Sequence, residues 1–424
     1  MFGINLLNYM DRYIFSSIAT AVAKDLHFGI DGIGFIASAF LIVYTIFTLP
    51  LGLLADSISK KRLIAFCTML WSVSTIFSAL ATSFIALFCT RMLLGIGEAG
   101  YYPAGTALLS QRFPADKWGK VLSWWNVGAT IGLMVGFILG GMIVSTSPHA
   151  WRLAFVLSSV PGILLGFLVW KFPIQEKNVR KLRINRQALK QAGTQTVERI
   201  SNLLHIRSFL MLTAMQIFAF FFLGVAVIFM PTYLQQKDAF HLDPATAGLY
   251  SGLMVVVAGV AGTILGGILA DSWQKRFAGA HIFICGAGFL IGAICFALAM
   301  LNNNFVVFSI FLFLTLLCVN LYNGPAAAAT QQIVVPAMGS SALALSLVIA
   351  HFFGDAFAPS IVGAITTSLD PTHGQHFLLN SAGQDLRLSL LAFCPTALFI
   401  AGILGIWGAR FAARDRQKTL APNN

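Results

Sequence analysis

Charged residues are scarce in this sequence. Asp, Glu, Lys and Arg make up only 10% of its 424 residues, whereas 58% are hydrophobic. A soluble domain carries roughly 25% charged residues, and a soluble protein this apolar would need a core larger than 424 residues can enclose. The composition therefore excludes a soluble globular protein and indicates a chain that crosses a membrane many times.

Cysteine pairs and catalytic motifs are also missing. The six Cys residues lie in apolar runs and none belongs to a Cys-x-x-Cys pair, so neither a zinc site nor a disulfide framework is indicated. The sequence has no nucleotide-binding loop, no His/Cys cluster with metal-ligand spacing and no nucleophile motif. We therefore predict that the protein is not an enzyme, and that it uses no metal and no other cofactor.

Long apolar runs are what the sequence does contain. A helix needs about 20 mostly apolar residues to cross a bilayer, and twelve segments meet this requirement. They are 2–23, 30–56, 62–80, 82–110, 119–145, 151–171, 207–235, 244–271, 279–301, 304–334, 339–368 and 387–411. The sequence thus predicts an all-α membrane protein with 12 transmembrane helices, which we number as spans 1 to 12.

Positive charge is concentrated at alternate breaks between these spans. If both termini are cytoplasmic, most of the 27 Lys and Arg residues fall on the cytoplasmic side, as in membrane proteins generally. We predict an integral protein of the plasma (inner) membrane with both termini in the cytoplasm. The net charge of +12 is then a consequence of topology, and no nucleic-acid partner is expected.

The longest polar stretch divides the chain into two halves of six spans. It covers residues 173–206, is basic, and suits either an amphipathic helix on the membrane surface or a solvated linker. We predict an amino-terminal six-helix bundle over 1–172, a cytoplasmic linker over 173–206 and a carboxy-terminal bundle over 207–424.

Two stretches at corresponding positions of the halves repeat one another. Gly52-Leu-Leu-Ala-Asp56-Ser-Ile-Ser-Lys60-Lys61-Arg62 follows span 2, and Gly267-Ile-Leu-Ala-Asp271-Ser-Trp-Gln-Lys275-Arg276 follows span 8. Internal repeats of this kind are typical of transporters. Read without further information, each stretch is either a gate or a solvated turn whose charges set the topology.

The two stretches resemble the motif that marks the major facilitator superfamily. Over the whole chain, this resemblance implies two pseudo-symmetric six-helix bundles and a secondary transporter that works by rocker-switch alternating access. It also implies gating by the motif, in which Gly52 permits close helix approach and Asp56 pairs with Lys60, Lys61 and Arg62. The second copy, Asp271 with Lys275 and Arg276, would act in the same way more weakly.

Three further stretches resemble the Spinster-like branch of that superfamily. They are Asn8-Tyr-Met-Asp-Arg-Tyr13 in span 1, Gly95-Ile-Gly-Glu-Ala-Gly-Tyr101 in span 4 and His351-Phe-Phe-Gly-Asp-Ala-Phe-Ala-Pro359 in span 11. The start of span 1 also occurs in sugar-acid and organic-anion symporters, so span 11 carries more of the distinction. The Spinster resemblance implies an amphiphilic or anionic substrate such as a lysolipid.

Four ionisable residues lie within spans 1 and 4. An ionised residue at bilayer depth costs at least ~2.5–3.5 kcal/mol, so it faces a partner or a wet cavity. Arg91 and Glu98 are two helical turns apart, whereas Asp11 and Arg12 are neighbours about 100° apart and cannot share a face. Since the resemblance puts spans 1 and 4 side by side, we expect Arg91 and Glu98 each to pair with span 1.

This charge network suggests proton coupling. A carboxylate there is kept protonated by desolvation or ionised by a neighbouring Arg, so Asp11 and Glu98 are the predicted proton carriers. Arg12 and Arg91 would tune them or bind an anionic substrate. A permanent structural salt-bridge cluster is the alternative.

The second half contains polar candidates of its own. His351 and Asp355 share one face of span 11 and suit either a second coupling or gating site or a buried His satisfied by its Asp. Gln216, Asn320, Tyr322 and Asn323 suit substrate hydrogen bonding or helix–helix hydrogen bonding. Gly354 and Pro359 should bend span 11, and the regular glycines of span 5, from Gly128 to Gly140, predict close helix packing.

The sequence therefore leads to a proton-coupled secondary transporter of an amphiphilic or anionic molecule. Its expected partners are the small-molecule substrate, protons and membrane lipid, and we expect a monomer. One alternative is a proton-coupled symporter of small organic anions such as sugar acids. Another is a non-transporting receptor or scaffold with the same fold, which the costly intramembrane charges oppose.

Overall fold

The computed structural model describes residues 1–114, 117–172, 201, 203–334, 338–372 and 375–420. Six long helices form the first half of the chain. They are α1 (Phe2–Asp25), α2 (Ile30–Ser57), α3 (Lys60–Ala79), α4 (Phe84–Arg112), α5 (Trp118–Thr146) and α6 (Trp151–Lys171). Each follows a predicted span closely, because the polar breaks between the apolar runs are where the chain turns.

The second half has six spans built from more pieces. The helices are α7 (Arg207–Gln235), α8 (Pro244–Gln274), α9 (Ala280–Leu301), α10 (Phe305–Asn320), α11 (Asn323–Ile333), α12 (Gly339–Ala350), α13 (Ala358–Leu369), α14 (Gln375–Leu378) and α15 (Gly383–Leu420). Span 10 is interrupted between α10 and α11. Span 11 is interrupted by a π-helical turn at His351–Asp355, which contains Gly354; the bend expected at Gly354 and Pro359 stays a prediction.

Eleven membrane spans can be recognised in the described residues from length and hydropathy alone. They comprise α2 to α9, α10 with α11, α12 with α13, and α15. Helix α1, which carries Asp11 and Arg12 in its interior, completes the set of twelve. The predicted all-α fold with twelve transmembrane helices is confirmed.

The chain divides into two compact units. The first contains Met1–Leu182, Val227–Leu253 and Pro359–Leu386, and the second contains Arg183–Ala226, Met254–Ala358 and Arg387–Asn424. The first six helices therefore all lie in one unit. The predicted boundaries of the linker and the two bundles stay a prediction, because residues 173–200 lie outside the described part of the chain.

Helix α1 packs against α5 along the glycines of span 5. A Cβ atom at Gly132 or Gly136 would overlap the backbone carbonyl oxygen of Leu6 or Met10 on α1. Small residues on one helix face allow backbones to approach this closely. The predicted packing role of the span 5 glycines is confirmed.

Helix α4 lies between α2 and α3. Like α5, it has glycines at its contacts, and these let the neighbouring backbones approach closely. A Cβ at Gly95 would come within 2.8 Å of the Phe40 carbonyl oxygen of α2, and one at Gly97 within 2.7 Å of the Trp71 nitrogen of α3. These close approaches fix the rotation of α4 about its axis. They bury Glu98, the next residue, which is 1% exposed.

Candidate functional site

An ion pair joins α1 to α4 inside the first unit. The Nε and NH2 atoms of Arg12 donate to Oε2 of Glu98 over 3.1 and 2.8 Å. The Glu98 side chain is fully buried and that of Arg12 is 14% exposed. The expectation that Glu98 pairs with span 1 is confirmed. Its second oxygen, Oε1, has no hydrogen-bond partner within the described part of the chain.

Aromatic rings surround the guanidinium group of Arg12. Its Cζ atom lies 4.6 Å from the ring centroid of Tyr44, 5.1 Å from that of Phe40 and 5.3 Å from that of Tyr9. A guanidinium over an aromatic face is stabilised by about 0.5–2 kcal/mol, more when it is desolvated. The rings therefore offset part of the desolvation cost of Arg12 and leave an apolar wall beside a cation.

Asp11 faces a different side of α1 from Arg12. Thr75 of α3 contacts its Oδ2 atom, and the hydroxyl of Ser158 on α6 donates to its Oδ1 atom over 2.8 Å. The side chain is buried, with 1% of the residue exposed. The 100° between neighbouring residues thus sends Asp11 to α3 and α6, and Arg12 to α2 and α4.

Arg91 is buried between two rings rather than beside a carboxylate. Its Cζ atom lies 4.4 Å from the ring centroid of Phe155 and 5.0 Å from that of Phe15. Among the described residues, its Nε and NH2 atoms have no hydrogen-bond partner. Asp11 and Glu98 act on it electrostatically, but the expected direct pair between Arg91 and span 1 is replaced by these ring contacts.

The first motif copy lies at the junction of α2 and α3. Ser59 caps α3, since its hydroxyl oxygen accepts a hydrogen bond from the Arg62 backbone N–H over 3.2 Å. Gly52 lies against Pro103 of α4, where an added Cβ would be 3.6 Å from the proline Cβ. The side chain of Asp56 lies outside the described residues, so its predicted pairing with Lys60, Lys61 and Arg62 stays a prediction.

The second motif copy has a different partner from the one expected. The carboxylate of Asp271 lies 3.3 Å from Nε2 of His281 on α9. Arg276 lies over the ring of Trp273 instead, 5.9 Å from its centroid. Gating by Asp271, Lys275 and Arg276 remains a prediction, and His281 is a partner that the motif does not include.

Polar residues of the second unit form bonds between helices. Oε1 of Gln216 on α7 accepts from the Ser346 hydroxyl of α12. Asn323 of α11 donates to the Thr263 hydroxyl of α8 over 3.0 Å, and also to Asn320. These contacts agree with the second of the two interpretations of these residues, hydrogen bonding between helices.

Tyr322, the remaining candidate of span 10, lies in an aromatic contact. Its ring centroid is 5.6 Å from that of Phe289 and 6.3 Å from that of Phe220.

His351 and Asp355 lie in the π-helical turn of span 11. Nδ1 of His351 is 2.9 Å from Oδ2 of Asp355, and the His ring meets the Phe220 ring edge-on, with centroids 4.5 Å apart. Oδ1 of Asp355 is buried without a partner among the residues that the structure describes. π-turns inside α-helices are frequent at functional sites.

Two titratable clusters lie at the ends of spans, outside their cores. Asp25 accepts hydrogen bonds from Trp151 and Arg152, and its carboxylate also contacts His149. Burial acts to raise the pKa of Asp25, but these bonds, with Arg152 foremost, hold that pKa below its ordinary value of 3.8.

The second cluster joins the ends of spans 11 and 12. Nδ1 of His376 lies 3.0 Å from Asp385 and 3.2 Å from Asp370. The hydrogen bond to Asp385 raises the pKa of His376 above its ordinary value of 6.5.

Sequence reasoning missed the residues that surround the four charges. Thr75 and Ser158 are ordinary hydroxyl residues in apolar spans, and Tyr9, Phe40 and Tyr44 are ordinary aromatic ones. Nothing in one sequence distinguishes them from lipid-facing or core residues. Only the rotation of α1 between its neighbours selects them.

Twelve transmembrane spans, an internal repeat and charges buried between the helices define a membrane transporter of the two-bundle type. The family model of the Major Facilitator Superfamily matches residues 1–359. The chain belongs to that superfamily. It is a family of transporters and not of enzymes, in agreement with the prediction that this protein is not an enzyme.

Spinster proteins are among the relatives of the chain. Protein spinster homolog 1 of Xenopus tropicalis is 25% identical over 99% of this chain and 81% of its own length. The sphingosine-1-phosphate transporter SPNS2 of Danio rerio is 24% identical over 98% of this chain and 84% of its own length.

A solved structure agrees with this relationship. The crystal structure of a bacterial homolog of the human lysosomal transporter Spinster, in an inward-facing and unoccupied conformation, has a TM-score of 0.84 and 20% identity. The match covers 99% of this chain and 97% of that chain. The resemblance to the Spinster-like branch, and with it an integral membrane protein, is confirmed.

Proposed function

We propose that this transporter is driven by a proton gradient and moves an amphiphilic anion. The observation that carries the proposal is the buried Arg12–Glu98 ion pair with its unpartnered Glu98 oxygen. Burial and the missing hydrogen bond at Oε1 within the described structure disfavour the ionised form of Glu98, whereas the contact with Arg12 favours it, so the carboxylate gains or loses a proton when that contact or the access of water changes. Glu98 and Asp11 are the proposed proton carriers.

Proton binding at Glu98 would release Arg12 for an anionic substrate. The ion pair loses its attraction once Glu98 is neutral, and the buried guanidinium then needs another anion. Aromatic rings beside Arg12 suit an apolar chain attached to that anion. Arg91, buried with two unpartnered nitrogens in the described structure, is a second anion-binding candidate.

A lysolipid-like molecule fits this combination of a cation and an apolar wall. The relative from Danio rerio is named a sphingosine-1-phosphate transporter, which supports a substrate with one anionic head and one apolar tail. Sugar acids have the anion but no tail, so they would leave the aromatic rings unused.

The conformational cycle that we propose is rocker-switch alternating access in the plasma (inner) membrane, with both termini cytoplasmic and the protein monomeric. Gating belongs to the two motif copies, with Gly52 and Asp56 in the first and Asp271 in the second. A second coupling or gating site is proposed at His351 and Asp355, where the π-turn already interrupts the helix. Two packings of one element, biased by a proton, are a common basis of such switches.

Uptake into proteoliposomes tests the proposal. The substrates are sphingosine 1-phosphate, an anionic lysophospholipid and a sugar acid, each with and without an inwardly acidic or alkaline pH gradient. We expect gradient-dependent transport of the amphiphiles, loss of gradient dependence in Glu98→Gln and Asp11→Asn, and loss of anion binding in Arg91→Ala. Full gradient-driven transport by both carboxylate variants would refute the coupling role, and transport of the sugar acid alone would refute the substrate class.

A further inference from the structure

Two hydroxyl groups hold the buried carboxylate of Asp11, one from each neighbouring helix. Thr75 of α3 contacts Oδ2 and Ser158 of α6 contacts Oδ1. In the part of the chain that the structure describes, no Lys or Arg lies within ion-pair distance of this carboxylate. Arg91 of α4 is the charged group that acts on it from further away. The hydroxyls are therefore its direct partners.

Each hydroxyl has a second acceptor within reach. Oγ1 of Thr75 lies 3.0 Å from the Trp71 carbonyl oxygen, and Oγ of Ser158 lies 3.0 Å from the Phe155 carbonyl oxygen. A hydroxyl has one hydrogen and two lone pairs. It can thus donate either to the carboxylate or to the carbonyl of its own helix, by rotation about one bond.

This choice satisfies both protonation states of Asp11. When Asp11 is ionised, both hydroxyl hydrogens point to its two oxygens. When Asp11 is protonated, its own O–H donates to one hydroxyl oxygen, and that hydroxyl turns its hydrogen to the carbonyl behind it. No buried polar group is left unpaired in either state, so the usual penalty for an unsatisfied buried group is avoided.

We propose that Thr75 and Ser158 are positioning residues that set the proton equilibrium of Asp11 and let it gain and lose its proton without rearrangement of the helices. The inference rests on the proposed proton-coupling role of Asp11 for its functional meaning. Neither Thr75 nor Ser158 belongs to a motif of the sequence. The two hydroxyls act on one carboxylate from opposite sides.

Infrared difference spectroscopy of the full-length protein in lipid nanodiscs measures this equilibrium directly. The C=O stretch of a protonated carboxyl group is followed against pH, and the band that Asp11→Asn removes belongs to Asp11. Thr75→Val and Ser158→Ala each leave the ionised carboxylate one donor short. A hydrogen bond to a charged group is strong enough that the pH midpoint of the band should rise by about one to two units.

Matched controls lie on the same helices. The hydroxyls of Thr68 and Ser159 are buried too, but they donate to carbonyl oxygens of their own helices, those of Ile64 and Val156. Thr68→Val and Ser159→Ala should leave the midpoint unchanged. Thr75→Ser keeps the hydroxyl and should restore the wild-type midpoint, which loss of packing alone would not do.

The outcomes separate this inference from the proposed function. A midpoint unchanged in Thr75→Val and Ser158→Ala would overturn the inference, as would a wild-type Asp11 band that does not titrate. If either variant fails to fold, Thr75→Cys and Ser158→Cys replace it, since a thiol is a weaker donor and should give a smaller rise. Gradient-driven transport that survives Asp11→Asn would instead refute only the coupling role, because the hydroxyl effect on the band does not depend on transport.

Discussion

Glu98→Gln should destabilise the protein by about 3 kcal/mol or more, because it leaves the Arg12 guanidinium buried without its carboxylate. Removing one partner of a buried ion pair costs about 3–5 kcal/mol, and here the Glu98 side chain is fully buried and that of Arg12 is 14% exposed. The rings of Tyr44 and Phe40 still hold the cation in the variant, so we expect the lower end of this range.

A double-mutant cycle measures how much of this cost belongs to the pair. Arg12→Gln, Glu98→Gln and the double variant are compared by equilibrium unfolding in mixed micelles. The double variant removes both charges. Its loss of unfolding free energy should therefore be smaller than the sum of the two single losses by at least about 1.5 kcal/mol. The same cycle on Asp25 and Arg152, whose side chains are 15% and 36% exposed, should give about 1 kcal/mol or less.

The result that would refute this reasoning is additivity. If the Arg12 and Glu98 effects add to within about 0.5 kcal/mol, the two groups do not stabilise one another. In that case the contact of the two Arg12 nitrogens with Oε2 of Glu98 would be incidental to the fold, and protonation of Glu98 would not release Arg12. The proposed link between proton and anion binding would then lose its physical basis.

Three further perturbations test other parts of the structure. Gly132→Leu should lower the thermal unfolding temperature strongly, because its Cβ would overlap α1. Gly267→Leu should not, because an added Cβ at Gly267 meets nothing within 4 Å. Equal effects of the two substitutions would contradict the packing of α1 against α5. The lowered pKa of Asp25 contributes stability above about pH 4, and this stability is lost as the pH falls through the folded-state pKa. On acidification, the unfolding temperature of the wild type should therefore fall more than that of Asp25→Asn. Parallel curves of unfolding temperature against pH would contradict this. The raised pKa of His376 acts in the opposite sense, since its bond to Asp385 stabilises the fold below pH 6.5 and this stability is lost as the pH rises through the folded-state pKa. The difference in unfolding temperature between the wild type and His376→Gln should therefore disappear at alkaline pH. A difference that persists there would argue against a stabilising charge on His376.

The sequence predicted the fold well because the number, the limits and the repetition of the spans can all be read from local stretches of sequence. Apolar run length determines the spans, and the polar breaks determine where they end. The repeated stretches that begin at Gly52 and Gly267 indicate the two halves. The four charges of spans 1 and 4 could also be singled out, because ionisable residues at membrane depth are rare and costly.

The partners of those charges could not be predicted in the same way. Helical periodicity gives the angle between Asp11 and Arg12, but not which neighbours lie on each side of α1. Arg91 illustrates the limit, since the side-by-side position of spans 1 and 4 predicted an ion-pair partner for it in span 1, and it lies between two Phe rings instead. The rotation of α1 depends on its glycine contacts with α5, which involve residues more than 100 positions away.

The order of Asp and Arg in α1 has a physical reason in these contacts. The first residue faces two hydroxyls, and each can donate to a carboxylate as well as accept from its proton. The second faces Glu98 and three aromatic rings, which suit only a cation. Exchanging the two residues would put a guanidinium where the hydroxyls have turned their hydrogens inward, and a carboxylate beside Glu98 and against the negative faces of the rings. Charge balance would be kept, but both sites would be destroyed, so the order within this pair, and not its mere presence, is what the bundle requires.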